Sequence, residues 1–196
     1  MRRTRSIRTL ALAAAVVGLA VLVTGCGGGE DAAEVTAAGD VPFDQAFIDG
    51  MVPHHEGAIE MAEAAKAAGL AEPELVEIAD AIIATQQQEI DQMREWRREW
   101  FGSAEIDPRG AEALGMSAAE MGMQHDASAL HDAEDIDAMF ASMMIDHHRG
   151  AVAMAELAQR RSQRDEIRKL ASEIITAQER EISLMERHAA GDHDGH

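Results

Sequence analysis

Two stretches of this chain carry the same soft metal donors at the same spacing. Met51, His54, His55 and Met61 form one set, and Met144, His147, His148 and Met154 form the other. Both read Met-x-x-His-His-x-Gly-Ala-x-x-Met. Thioether sulfur and imidazole nitrogen together favour Cu(I) and its chemical relative Ag(I), whereas carboxylate-rich sites favour harder ions. The spacing leaves open whether the two motifs make two sites or one shared site. On a helix, His54 stands three residues after Met51 and seven before Met61, so the three point roughly the same way. His55 falls near the middle of the apolar arc and His54 on its flank.

A comparison of spacing narrows the chemistry. Helical bundles that hold two iron or manganese ions use Glu-x-x-His on facing helices. This chain has no Glu-x-x-His, but it has Met-x-x-His at Met51/His54, Met144/His147 and Met185/His188. A thioether thus replaces the carboxylate, which argues against a di-metal oxidase. Further soft donors follow at Met116, Met121, Met123 and His125, and the tail His188, His193 and His196 could take Cu(II) or Zn(II). The competing reading is packing. Met on an apolar helix stripe is ordinary core filler, and a duplication copies a core as faithfully as a site. Packing alone does not call for His there, because a buried imidazole without a partner is costly.

The donors lie on elements that are themselves repeated. Residues 47–63 and 140–156 match at nine of 17 positions with an offset of 93, and residues 79–93 and 171–185 match at seven of 15 with an offset of 92. Two segments recurring in one order make a duplicated two-element unit. Both elements have helical periodicity. Phe47, Ile48, Met51, His55, Ala58, Ile59 and Ala62 share one face of the first, with Asp49, Glu56, Glu60 and Glu63 opposite. Leu75, Ala79, Ile82, Ile83, Ile90 and Met93 line the second. Gly69 and Pro73 bracket the turn between them, and the second unit turns near Ser162–Asp165. Pro53 should kink the first helix or mark a restart. Gly57 and Gly150 read as places of close helix approach. These patterns predict an all-α, antiparallel four-helix bundle made of two helical hairpins, about 43–101 and 132–188. The connection between them contains Ser117-Ala118-Ala119-Glu120, which reads as a capping box opening a short extra helix.

Folding each hairpin about its turn brings further residues to the motif. A turn centred near residue 71 sets His54 level with about residue 88, so Gln86, Glu89 and Met93 come beside Met51, His54 and His55. The second hairpin offers Gln178, Glu181 and Met185 in the same way. Met93 and Met185 complete the candidate metal set. Gln86, Glu89, Gln178 and Glu181 would orient the His rings from behind.

The ends of the chain suggest where it works. Arg2, Arg3, Arg5 and Arg8 precede an apolar run from Leu10 to Val23, the pattern of a secretory leader. The run ends in Val23-Thr24-Gly25-Cys26, which resembles a bacterial lipobox and makes the sole Cys a candidate lipidation site. We therefore expect a leader at 1–25, a flexible tether at 26–41, a bundle domain at 42–188 and a disordered His-containing tail at 189–196. The formal charge is −19. Loss of the leader leaves 13 basic against 36 acidic residues, or −23. Such a surface excludes nucleic acid as a partner, and one Cys excludes an intramolecular disulfide framework or a Cys-based zinc site. Outside the cytoplasm thiols oxidise, so a soft-metal binder there does better with Met than with Cys.

The paired His-His motifs, each followed by an Ile-Ile-x-x-Gln-x-x-Glu-Ile-x-x-Met helix, resemble the domain-of-unknown-function 305 family. Its members are secreted or membrane-anchored bacterial proteins with a ferritin-like helical bundle, and some are copper-binding proteins of the CopM type. The resemblance spans about 42–188. It implies ligands at Met51, His54, His55, Met61, Met144, His147, His148 and Met154. The expectation is a lipid-anchored, extracytoplasmic protein that binds Cu(I), with Ag(I) as an alternative cargo, and sequesters it for homeostasis or tolerance without catalysis. A metal-free structural or interaction module of the cell surface is the alternative, and a homo-oligomer stays open.

Overall fold

In the computed structural model, which describes residues 41–189, the first helix is a test of the proline expectation. α1 runs from Phe43 to Ala68 without a break at Pro53, so the proline neither ends nor restarts it. The helix stops at Gly69, whose φ of 112° needs the left-handed region open to glycine. The Gly69 and Leu70 N–H groups donate back to the Ala65 carbonyl at 3.1 and 2.9 Å, which closes the C-terminal turn. Pro73 then occupies the first position of α2, Pro73–Phe101, where its missing N–H costs nothing. The second hairpin starts differently. Asp135 caps α4, Ile136–Arg161, by accepting the Ala138 N–H at 2.9 Å. A short turn leads into α5, Asp165–Ala189.

Each hairpin packs its two helices antiparallel, and α1 and α4 bring the hairpins together. These two also run antiparallel: Arg161 at the end of α4 sits 4.7 Å over the Phe43 ring at the start of α1. At the other end, Asp137 in the first turn of α4 accepts the Ala71 and Glu72 N–H groups of the α1–α2 turn at 2.9 and 3.1 Å. α2 and α5 meet chiefly at their ends. Glu74 binds Arg187 at 2.6 Å and His188 at 2.7 Å, and Arg164 covers the Trp100 ring at 4.2 Å. The result is the expected all-helical antiparallel bundle. Among the described residues no helix is long and apolar enough to cross a membrane.

Several local expectations need correction. The Ser117 and Glu120 capping bonds form, with Ser117 N–H to Glu120 Oε2 at 2.8 Å and Glu120 N–H to Ser117 Oγ at 3.2 Å. They close a turn, however, and not a helix. The helical pieces of the connection are α3, Gly110–Ala113, and a 3-10 turn at Ala127–Asp132. Asp49, expected on the solvent face, is 1% exposed because Arg97 of α2 pairs with both of its oxygens, at 2.8 and 3.3 Å. His188 lies in α5 with Glu74, not in a loose tail. The leader, Cys26, the tether and the tail His193 and His196 lie outside the described residues.

Candidate metal centre

The two His-His motifs meet at the centre of the bundle, where α1 crosses α4. The His54 and His147 rings are 3.8 Å apart between centroids, tilted by 40°. All four histidines are buried, and so is every Met of the candidate set. His54, expected on the flank of α1, is buried as fully as His55 because α4 and the connection cover it.

The hydrogen bonds fix the chemistry of three rings. His55 Nε2 lies 2.8 Å from Glu89 Oε2, and His148 Nε2 lies 2.6 Å from Glu181 Oε2. His54 Nε2 lies 2.8 Å from the backbone carbonyl of Met121. Carbonyls and carboxylates accept, so each Nε2 carries a proton, and in the neutral ring Nδ1 then presents a lone pair. All four Nδ1 atoms, including that of His147, are buried without a partner. Gln86 Oε1 and Gln178 Oε1 are in the same condition, and neither amide oxygen reaches a histidine. Orphaned buried acceptors are uncommon, and each calls for an explanation.

Burial also sets the protonation. Removal from water, reinforced by His55, holds the His54 imidazole down at about 3, with the Met121 carbonyl pulling weakly the other way. Burial, followed by the neighbouring His54, pushes His147 well below its usual value. Two neutral rings can lie this close where two imidazolium ions would repel. A neutral imidazole is also the form that binds a metal.

The sulfurs are sorted across the hairpins and not within them. Met51, Met93 and Met154 share one core cluster, while Met61, Met144 and Met185 share the other. The antiparallel crossing of α1 and α4 exchanges the last Met of each motif. The Met154 Cε lies 3.2 Å from where a Cβ on Gly50 would stand, well away from the middle of its own motif. Within the candidate set each cluster thus takes two sulfurs from one hairpin and one from the other. Among the described residues no three His, Cys, Asp or Glu side chains are placed to hold an ion together. An ion held here would therefore need thioether donors.

One participant had no chemical signature. Met121 stood out as a thioether, but its backbone carbonyl is what binds His54. Glycines make this possible. A Cβ on Gly150 would stand 2.0 Å from the Met121 oxygen, and one on Gly122 would stand 2.3 Å from the Asp146 oxygen. Gly150 therefore admits the connection, not a helix, to α4. Gly57 does face the other hairpin, with His147 Nε2 3.4 Å from its would-be Cβ.

The sequence profile of the domain of unknown function DUF305 matches residues 22–97 and 44–189. Among solved structures, CopM in the Cu(I)-bound form is similar at 35% identity, covering 76% of this chain and 97% of CopM with a TM-score of 0.64. CopM in the Cu(II)-bound form gives 36% identity over 76% of this chain and 96% of CopM, TM-score 0.66. A DUF305 protein from Streptomyces coelicolor gives 26% identity over 79% of this chain and 97% of its own, TM-score 0.68. A comparison with curated proteins gives no match.

Proposed function

The chain belongs to the DUF305 family, and from that premise we propose that it binds Cu(I), or Ag(I) in its place, and sequesters it outside the cytoplasm. The observation that carries this reading is the set of four buried, unpartnered Nδ1 atoms within a thioether-rich core. Support comes also from CopM, whose structures hold Cu(I), Cu(II) and silver. In this reading the imidazoles of His54, His55, His147 and His148 supply Nδ1 donors, no three of them to one ion. Met51, Met93 and Met154 on one side, and Met61, Met144 and Met185 on the other, offer sulfur. Glu89 and Glu181 hold the His55 and His148 rings in the tautomer that leaves Nδ1 free. The ion is cargo, and no reaction is performed on it. In this reading the protein works on the outer side of the membrane, tethered by lipid at Cys26; the leader-like and lipobox-like sequence supports that.

The test is an anaerobic Cu(I) titration of the chain from Cys26 onward against a competing chelator. A tight site is expected, and His54→Asn with His147→Asn should weaken it by at least about tenfold. The metal-free module is the better description if no tight site appears, or if the double variant binds as the parent does.

A further inference from the structure

The connection between the hairpins presents donors that the buried set does not use. Met123 is the only large hydrophobic side chain exposed among the described residues, at 38%, whereas Met121 two residues earlier is 3% exposed. With His125 it lines a cleft of about 350 Å³ that also contains Met61 and His147. His147 differs from the other three histidines. It is 97% buried, its Nδ1 has no partner, and among the described residues no carbonyl or carboxylate engages its Nε2. Gly57 has no side chain to cover that nitrogen. Beyond His147 the His54 ring follows at 3.8 Å. His125 is only loosely held, 3.7 Å from Asp146. Glu60 and the Arg94-paired Glu56 add negative charge around the cleft, which raises the local concentration of cations without choosing among them.

An exposed thioether beside a loosely held imidazole, with a second thioether and an unpartnered imidazole deeper in, makes a graded series of soft donors. We propose that this cleft is the port of the buried centre: a soft cation is taken first by Met123 and His125, then reaches Met61 and His147. The step is ligand exchange only, with no change of oxidation state. The proposal rests on the reading of the buried set as metal-binding.

The experiment uses the full chain labelled with methyl-13C Met and 15N His. Silver nitrate serves as a redox-inert probe, and Cu(I) transfer from its coloured bicinchoninate complex gives the rate. Met123 and His125 signals should move from the first additions, together with those of the buried Met51 and Met144. Met123→Leu with His125→Asn should slow Cu(I) uptake on the order of tenfold while the final Met51 and Met144 shifts stay as in the parent. The port is overturned, with the buried site standing, if Met51 and Met144 respond while Met123 and His125 do not, or if the variant loads as fast as the parent. Movement of Met123 and His125 without Met51 and Met144 overturns both the buried site and the port that would serve it, as does silence at all four.

Discussion

His54 and His147 show how one residue type can be both a candidate ligand and a liability. Their rings lie 3.8 Å apart at the helix crossing, tilted by 40°, and both are kept neutral there, because burial holds His54 at about 3 and pushes His147 in the same direction. In the unfolded chain both titrate near 6.5. Above that value neither state is protonated, and the pair adds no pH dependence. Below it the unfolded chain binds protons that the folded chain does not, so stability falls with pH down to the folded value. For His54 the loss should reach on the order of 2 kcal/mol at pH 5. Urea unfolding of the metal-free protein between pH 7 and 5 measures it, and His54→Asn with His147→Asn should flatten the slope. A slope unchanged in that variant would mean that other groups carry it. The residue types were legible in the sequence, since Met and His at a repeated spacing name a donor chemistry. The tautomers were not, because the Met121 carbonyl that fixes His54 lies 67 residues away and has no side-chain signature.

The elements were more legible than their contacts. The duplication, Gly69, Pro73 and the apolar stripes define two hairpins, since each is a local signal. The solvent-side expectation for Asp49 fails because its burial depends on Arg97, 48 residues on, which periodicity in α1 cannot see. The connection was misread for a similar reason: its capping box is satisfied, but the segment spends its backbone on α4 and His54 and so forms turns. Gly150 and Gly57 make this testable. They occupy the same motif position, so sequence treats them alike, but the structure does not. Gly150→Ala would drive a Cβ into the Met121 backbone at 2.0 Å, and main chain cannot move aside as a flexible side chain can. It should cost about 1–3 kcal/mol and expose the 115–126 segment to hydrogen exchange and proteolysis. Gly57→Ala meets only ordinary contact at 3.4 Å. It replaces a poor helix former and should leave stability level or raise it by up to about 1 kcal/mol. Equal losses in the two variants would show that Gly150 does not seat the connection.

At the scale of the whole molecule, the exchange of Met61 and Met154 between hairpins decides what the bundle can do. A motif read along one helix looks like a self-contained site, but neither hairpin holds a complete sulfur cluster. The antiparallel crossing of α1 and α4 assembles each from both, so in the proposed reading metal binding and the pairing of hairpins are one equilibrium. A ligand that binds only the assembled state stabilises it by mass action. At a free concentration of 100 times Kd the gain is about 2.7 kcal/mol, which for a domain of this size raises Tm by roughly 5–10 °C. Core filling and coordination can be separated on this basis, because Leu replaces Met in volume but not in donor chemistry. Met51→Leu with Met144→Leu removes one sulfur from each cluster. The metal-free variant should unfold within about 1.5 kcal/mol of the parent for each substitution. Its Tm should respond far less to Ag(I) or anaerobic Cu(I) than the parent's does. If the variant keeps the full metal-dependent rise, these two sulfurs are core filler and the ion is held by other donors. If the parent shows no rise either, the clusters are packing throughout.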